Sequence, residues 1–76
     1  MKIYTGGQLS FYMPDFSRQL EVPLKEPTRL SEVLANLGIP IAEIYLAAVN
    51  GEMVDPHVVM VTQTDDVRLY PPVDGG

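Results

Sequence analysis

The chain has 76 residues and no cysteine, and its composition is 46% hydrophobic and 20% charged. Such a chain is typical of one small folded domain, and the lack of cysteine excludes disulfides, thiolate metal sites and a cysteine nucleophile. The net charge of −5, with the positive residues scattered along the chain, argues against nucleic-acid binding.

Neither a membrane segment nor a targeting segment is evident in the sequence. No apolar run approaches the ~20 residues that a membrane-spanning helix needs, and a signal-peptide pattern is missing. We therefore expect a cytoplasmic protein that does not contact a membrane. The lone His57 has no partner for a metal site, so we expect no bound metal and no bound cofactor.

The first part of the chain predicts two antiparallel strands. Residues 2–13 show apolar side chains at alternate positions, which favours a strand, and Gly6-Gly7 interrupts it as a bulge or a bend. Residues 14–17 have the composition of a hairpin connection. Residues 19–25 alternate again, so we expect a second strand that pairs with the first.

A single helix is predicted next. Thr28 is a suitable N-cap, Gly38 is placed as the residue that ends the helix, and Pro40 prevents continuation while opening one more helical turn. Apolar residues spaced by three and four positions form one stripe, which is typical of a helix packed on a core. This stripe consists of Leu30, Val33, Leu34 and Leu37.

The second half of the chain predicts three further strands. Residues 45–49 form a nearly continuous apolar run, which favours a strand buried on both sides in the middle of a sheet. Asn50-Gly51 is a strong hairpin signal before a short strand at 52–54. Residues 57–61 are interpreted as a short strand or a 3₁₀ turn, and residues 62–66 as a polar turn before a last strand that ends at Tyr70.

One helix and one mixed sheet must cover each other, so the prediction is an α+β domain with one sheet face left open. Four polar or aromatic side chains have the parity of that open face. An exposed face of this kind can contact another protein. The four residues are Tyr4, Tyr12, Arg68 and Tyr70.

The end of the chain predicts a slim tail. Pro71 and Pro72 stop the last strand because proline has no N–H and a fixed φ, and Gly75-Gly76 have no side chains. From Val73 onward an extended tail reaches roughly 13 Å. A narrow enzyme channel admits such a tail, and a carboxylate becomes reactive there once it is activated, for example as an acyl-adenylate. We therefore divide the chain into a domain at 1–70 and a tail at 71–76.

Three segments together resemble the ubiquitin-like sulfur carriers of the MoaD/ThiS family, over nearly the whole chain. Of the three, the terminal segment is the most specific and resembles the aromatic-Pro-Pro-Val-x-Gly-Gly end of the molybdopterin synthase small subunit. Thr64-Asp65 departs from the Gly-Asp step that such carriers usually have before the last strand. The segments are residues 47–51 (Ala-Ala-Val-Asn-Gly), residues 65–70 (Asp-Asp-Val-Arg-Leu-Tyr) and residues 71–76 (Pro-Pro-Val-Asp-Gly-Gly).

The resemblance implies a β-grasp fold, with four to five strands packed on one main helix. It also implies that a ubiquitin-activator-like enzyme uses ATP and Mg to adenylate Gly76, that a sulfur donor enzyme converts it to a thiocarboxylate, and that the large subunit of molybdopterin synthase receives the tail. The chain itself is then a protein co-substrate rather than an enzyme. The residues expected to contact partners are Gly75, Asp74, Val73, Pro72, Pro71, Tyr70, Arg68 and Tyr4.

Other readings remain open or are disfavoured. The resemblance favours a carrier for molybdopterin or tungstopterin synthesis. The alternatives are a carrier that sends sulfur to thiamine, cysteine or transfer RNA, and a ubiquitin-like binding or conjugating module. Asp65-Asp66 is a poor catalytic pair because adjacent strand residues face opposite ways. His57 has no evident base partner, and Gly6-Gly7 lacks the helix and lysine of a phosphate loop.

Overall fold

The computed structural model describes residues 1–72. It shows one α-helix, α1 (Leu30–Leu37), and seven strands. Three short 3₁₀ segments lie at Gly7–Tyr12, Pro14–Phe16 and Ile41–Glu43. The strands are β1 (Lys2–Thr5), β2 (Gln19–Glu21), β3 (Thr28–Arg29), β4 (Leu46–Val49), β5 (Glu52–Val54), β6 (Met60–Val61) and β7 (Asp66–Tyr70).

The main sheet has five strands in the order β2-β1-β7-β4-β5, and β3 pairs with β6 in a separate two-stranded ladder. β1 pairs antiparallel with β2 and parallel with β7, whereas β7 pairs antiparallel with β4. The parallel pair therefore joins the first and last strands at the centre of the sheet. This mixed sheet with one main helix confirms the predicted α+β class and is consistent with a ubiquitin-like β-grasp.

The core lies between α1 and one face of the sheet. Leu30, Val33 and Leu34 on the predicted helix stripe are buried, and Leu37 packs at the edge of the core. Val67 and Leu69 of β7 meet them from the sheet, and both are fully buried. Burying a side chain of this size stabilises a fold by about 1.5–3 kcal/mol, so this packing holds helix and sheet together. No helix in the described part of the chain has the length and hydrophobicity to cross a membrane.

The first predicted strand is wrong beyond Thr5. The chain leaves β1 at Gly6, turns at Gly7 with a φ of +50°, and continues as a 3₁₀ segment instead of a strand up to residue 13. Leu9 and Met13 are buried while Phe11 between them is exposed, so burial does not follow the alternation of a strand. Alternation with period two was a coincidence of these apolar positions.

Two other predicted boundaries are also wrong. The second strand ends at Glu21 rather than residue 25, although its antiparallel pairing with β1 is confirmed. α1 begins at Leu30 with Arg29 as N-cap and no side-chain cap, because Thr28 instead pairs with Val61 in the β3-β6 ladder. Tertiary pairing thus overrides the capping preference of threonine.

The run at residues 45–49 contains β4, an interior strand between β7 and β5, as predicted. It is not buried on both faces, because Ala47 is buried while Tyr45 is 73% exposed. The turn predictions hold: Asn50 and Gly51 have φ of 52° and 87°, as a two-residue hairpin requires. Gly38 has a φ of 76° at the end of α1, and the extra turn after Pro40 is the 3₁₀ segment Ile41–Glu43.

Candidate functional site at the end of strand β7

The end of β7 lies in the middle of the sheet, between β1 and β4. Side chains alternate along this strand, so Val67 and Leu69 face the core while Arg68 and Tyr70 face outward. Arg68 is opposite Tyr4 on β1 and Ala48 on β4. Side chains predicted for the open face from two separate stretches of sequence, Tyr4 in β1 and Arg68 with Tyr70 in β7, are therefore brought together.

The carbonyl groups of the last two residues of β7 both accept hydrogen bonds from neighbouring segments of the chain. The Gly6 N–H donates to the Leu69 carbonyl oxygen at 2.9 Å, from the β1 side. The Tyr45 N–H donates to the Tyr70 carbonyl oxygen at 2.9 Å, from the β4 side. Pro71 has no N–H to continue the ladder, so β7 ends at a defined point with both flanks fixed.

Pro71 rests on the two glycines that follow β1. A β-carbon built on Gly6 would lie 3.6 Å from Pro71 Cδ, and one built on Gly7 would lie 3.0 Å from Pro71 Cγ. The ring thus occupies the space that a side chain at residue 7 would fill. Sequence reasoning interpreted Gly6-Gly7 as a local bend and missed this contact, because the β1-β7 register that creates it is not readable locally.

A shallow notch of about 150 Å³ opens beside this contact. The Arg68 guanidinium lies over the Tyr4 ring, with Cζ 4.5 Å from the ring centroid, and Arg68 Nε is 3.6 Å from Asp66 Oδ1. A cation placed over an aromatic face is attracted by the ring, which holds this half-exposed side chain in place. The notch is lined by Tyr4, Thr5, Gly6, Arg68, Leu69 and Tyr70.

The open face continues from the notch across β4 and β5. The register places Leu46 beside Tyr70, and Ala48 beside Arg68 on one side and Met53 on the other. Met53 is 73% exposed and Tyr70 is 41% exposed, so apolar surface is offered to solvent there. Tyr12, which was predicted to join this face, belongs to the 3₁₀ segment and is not among the residues that line the notch.

Asp65 and Asp66 have separate structural roles. Asp65 accepts hydrogen bonds from Asn50 Nδ2 at 2.8 Å and from the Thr62 N–H at 2.7 Å, whereas Asp66 pairs with Arg68. Burial raises the pKa of Asp65, but the hydrogen bonds from Asn50 and Thr62 outweigh it, so the pKa lies below its ordinary value of 3.8. Thr64, the departure noted above, is accommodated without a positive φ.

The remaining candidates stand apart from the notch. His57 is exposed, and its backbone N–H donates to Asp55 Oδ1 at 2.9 Å within a local turn. Across residues 1–72, no three His, Asp or Glu side chains gather closely enough to hold a metal ion. Pro72 is exposed just after Pro71, and the predicted site residues Val73, Asp74, Gly75 and Gly76 lie outside the described residues.

Comparison with known proteins gives one family match. Residues 2–74 match the family model described as Mut7-C ubiquitin, which spans nearly all of the chain. No curated protein matches the sequence. The match supports a ubiquitin-like domain of the Mut7-C type, and it does not single out the MoaD branch that the terminal segment resembles.

Proposed function

This chain belongs to the Mut7-C ubiquitin family, and we propose, from its tail sequence and the geometry at the end of β7, that it is a ubiquitin-like sulfur carrier whose working atom is the Gly76 carbonyl carbon. The observation that carries the proposal is the fixed end of β7, where the Leu69 and Tyr70 carbonyl groups accept hydrogen bonds and Pro71 lies against Gly6 and Gly7, beside the notch. The sequence that follows ends in Gly75-Gly76, which suits passage through a narrow channel.

The proposed chemistry takes place in two steps on a partner enzyme. A Gly76 carboxylate oxygen attacks the α-phosphorus of ATP, and pyrophosphate leaves, with Mg held by the activating enzyme. Sulfide supplied by a donor enzyme then attacks the acyl carbon, the bond to the AMP oxygen breaks, and AMP leaves. The product is a thiocarboxylate, which donates its sulfur to a pterin precursor in molybdopterin or tungstopterin synthesis. The chain supplies no catalytic group of its own.

Three partners follow from this chemistry: a ubiquitin-activator-like adenylating enzyme, a sulfur donor enzyme and the large subunit of molybdopterin synthase. We assign their contacts to the notch and the tail, namely Tyr4, Arg68, Tyr70 and residues 71–75. Arg68 is suited to this role because its stacking on Tyr4 fixes the guanidinium before a partner arrives. The reaction requires ATP, so the proposal places the chain in the cytoplasm.

The second candidate is a ubiquitin-like module that binds or modifies proteins without carrying sulfur. The apolar surface of Leu46, Ala48, exposed Met53 and half-exposed Tyr70 favours it, since such a face can contact a partner with no need for the tail. A carrier that delivers sulfur to thiamine, cysteine or transfer RNA would use the same tail chemistry with a different acceptor.

Activation is tested on the intact, untagged chain, because the Met1 amino group donates to the Val22 carbonyl oxygen and an N-terminal tag would disturb that contact. The ¹⁵N-labelled chain is incubated with clarified extract of the source organism, ATP, Mg and a sulfide source, and its intact mass is followed. We expect replacement of one oxygen by sulfur at Gly76. The controls lack Gly76 or carry one alanine after it, and both should stay unmodified.

Two outcomes would contradict the proposal that the chain is a sulfur carrier. If the labelled chain remains a plain acid while the same extract forms thiocarboxylate on a known sulfur carrier, the binding module is the better account. The same holds if the truncated or extended controls acquire sulfur equally well. The chain isolated from cells must also show a free carboxyl group at Gly76, which the same mass measurement reads directly.

The acceptor is tested with the thiocarboxylated chain itself. It is mixed with the large subunit of molybdopterin synthase and the pterin precursor, and the dithiolene product is measured. Product formation at a rate proportional to the loaded chain supports the pterin route. If sulfur is retained in this mixture but released when a thiazole, cysteine or transfer RNA acceptor is supplied, the sulfur-carrier function stands and the pterin acceptor is rejected.

A further inference from the structure

Gly6 and Gly7 contact the first residue of the tail although they lie more than sixty positions away in the chain. We infer that Gly6-Gly7 is a positioning element, hereafter the glycine shelf, that sets the direction in which the tail leaves β7 and so its approach to the activating enzyme. This inference rests on the proposed function. It assigns a role in that reaction to residues that take no part in the chemistry.

The two glycines of the shelf differ in how closely an added β-carbon would approach Pro71. A β-carbon at Gly6 would lie 3.6 Å from the Leu69 carbonyl oxygen, Tyr70 Cδ1 and Pro71 Cδ, which is ordinary van der Waals contact. A β-carbon at Gly7 would lie 3.0 Å from Pro71 Cγ, which is closer than side chains normally tolerate. Gly7 is therefore the position at which a side chain would displace the proline ring.

The shelf is itself held in place, so it can act as a reference for the tail. Its Gly6 N–H donates to the Leu69 carbonyl oxygen, and its Gly6 carbonyl oxygen accepts from the Leu9 N–H at 3.1 Å. Leu9 is completely buried, which ties the segment after the shelf to the core. The Pro71 ring thus rests on a support connected both to β7 and to the core.

Directional control matters for the reaction. A Gly76 carboxylate oxygen must meet the α-phosphorus of ATP in a fixed geometry, and a misplacement of about 1 Å can lower a rate by roughly a hundredfold. A tail free to leave β7 in any direction has to be ordered by the enzyme on binding, which weakens productive binding. A fixed starting direction at Pro71 removes part of that requirement.

The test compares Gly7→Ala with Gly38→Ala. Gly38 also has a positive φ, of 76°, but a β-carbon there would meet nothing within 4 Å. Both variants therefore carry backbone strain and should lose a similar amount of thermal stability, whereas Gly7→Ala alone pushes against Pro71. We expect Gly7→Ala to lower the rate of thiocarboxylation in the extract assay by roughly ten- to a hundredfold and Gly38→Ala to leave it within about twofold of the wild type.

Two measurements separate a positioning role from a loss of structure. Rates are taken at a temperature where both variants are folded by circular dichroism, and nuclear Overhauser contacts between Gly7 and Pro71 protons are recorded in the wild type and in Gly7→Ala. We expect these contacts in the wild type and their loss or weakening in the variant. The core contacts of Leu9 and Leu69 should be retained in both proteins.

The inference is overturned if Gly7→Ala and Gly38→Ala carry sulfur at the same rate, or if the wild type shows no contact between Gly7 and Pro71. Failure of the proposed function looks different, because the wild type itself would then acquire no sulfur. A double variant, Gly7→Ala with Pro71→Ala, gives a further test. Once the proline ring is removed, adding Gly7→Ala should leave the rate of thiocarboxylation equal to that of Pro71→Ala alone. If Gly7→Ala lowered the rate by the same factor in the wild type and in Pro71→Ala, the positioning role of the glycine shelf would also be rejected.

Discussion

Two connections in this domain reverse the chain by different means. The β4-β5 connection uses two residues, Asn50 and Gly51, whose backbone angles match the twist of the strands they join. The β1-β2 connection uses residues 6–18, which include two 3₁₀ segments and positive φ at both Asp15 and Phe16. The comparison teaches that the backbone conformation of a short turn is set by its own residues, whereas that of a long connection depends on side chains that it sends into the core.

The largest expected effect is at the buried anchor of the long connection. Leu9 is fully buried although it belongs to no strand of the sheet, so Leu9→Ala leaves a cavity in the core. We expect a loss of about 2–5 kcal/mol in the free energy of unfolding, measured by urea denaturation. Phe11→Ala, at an exposed position in the same segment, is the matched control and should cost much less. Equal costs would mean that the long connection does not depend on the core.

A smaller effect is expected at the short connection. Asn50→Ala removes a residue that tolerates positive φ and two side-chain hydrogen bonds, one to Asp65 Oδ1 and one from the Asp66 N–H at 2.9 Å. We expect a loss of about 2 kcal/mol in unfolding free energy. Asn50→Gly keeps the backbone conformation but not the bonds, so it should recover part of the loss. No difference between the two variants would assign the whole effect to the hydrogen bonds.

The smallest effect is a dependence on pH that distinguishes the two connections. Asp65 accepts hydrogen bonds from the short turn as a carboxylate. Burial raises its pKa, but the hydrogen bonds from Asn50 and Thr62 outweigh burial, so the pKa of Asp65 lies below its ordinary value. At pH values above the pKa of the unfolded state, a carboxyl group whose pKa is lowered in the folded state increases the free energy of unfolding. This added stability is lost as the pH falls through the folded-state pKa. Hence Asp65→Asn should be less stable than the wild type at neutral pH, by about 1 kcal/mol.

The difference between wild type and Asp65→Asn should shrink as the pH falls below about 4, the region of an ordinary aspartate. Thermal unfolding followed by circular dichroism at several pH values measures it. Because the expected difference comes from the ionised Asp65, a difference that stays the same from neutral pH to about pH 3 would contradict this role of the carboxylate.

The same contrast explains what the sequence predicted and what it did not. Asn50-Gly51, Gly38 and the stripe Leu30-Val33-Leu34 carry their signals within a few residues, and all were placed correctly. Residues 6–13 and Thr28 were misread because their conformations are decided by partners distant in sequence, the core and β6. Local patterns are ambiguous where long-range contacts decide.

Candidate site residues show the same division. The parity of Tyr4, Arg68 and Tyr70 was readable from alternation within β1 and β7, and the structure brings these three side chains to one notch. The contact between Gly7 and Pro71 was not readable, because it depends on the parallel register of two strands at opposite ends of the chain. The glycine pair was noticed, but its partner could not be named.

The central position of β7 has a consequence for biosynthesis of the protein. β1 and β4 are both made before residues 66–70 and can pair with β2 and β5, but the edge of each that faces β7 stays unpaired until those residues leave the ribosome. Folding of this domain is therefore expected to wait until translation has passed Tyr70, since contacts distant in sequence form only when both partners are present. A truncated translation product ending before β7 would expose two unpaired strand edges, which makes it prone to aggregation and a target for proteolysis.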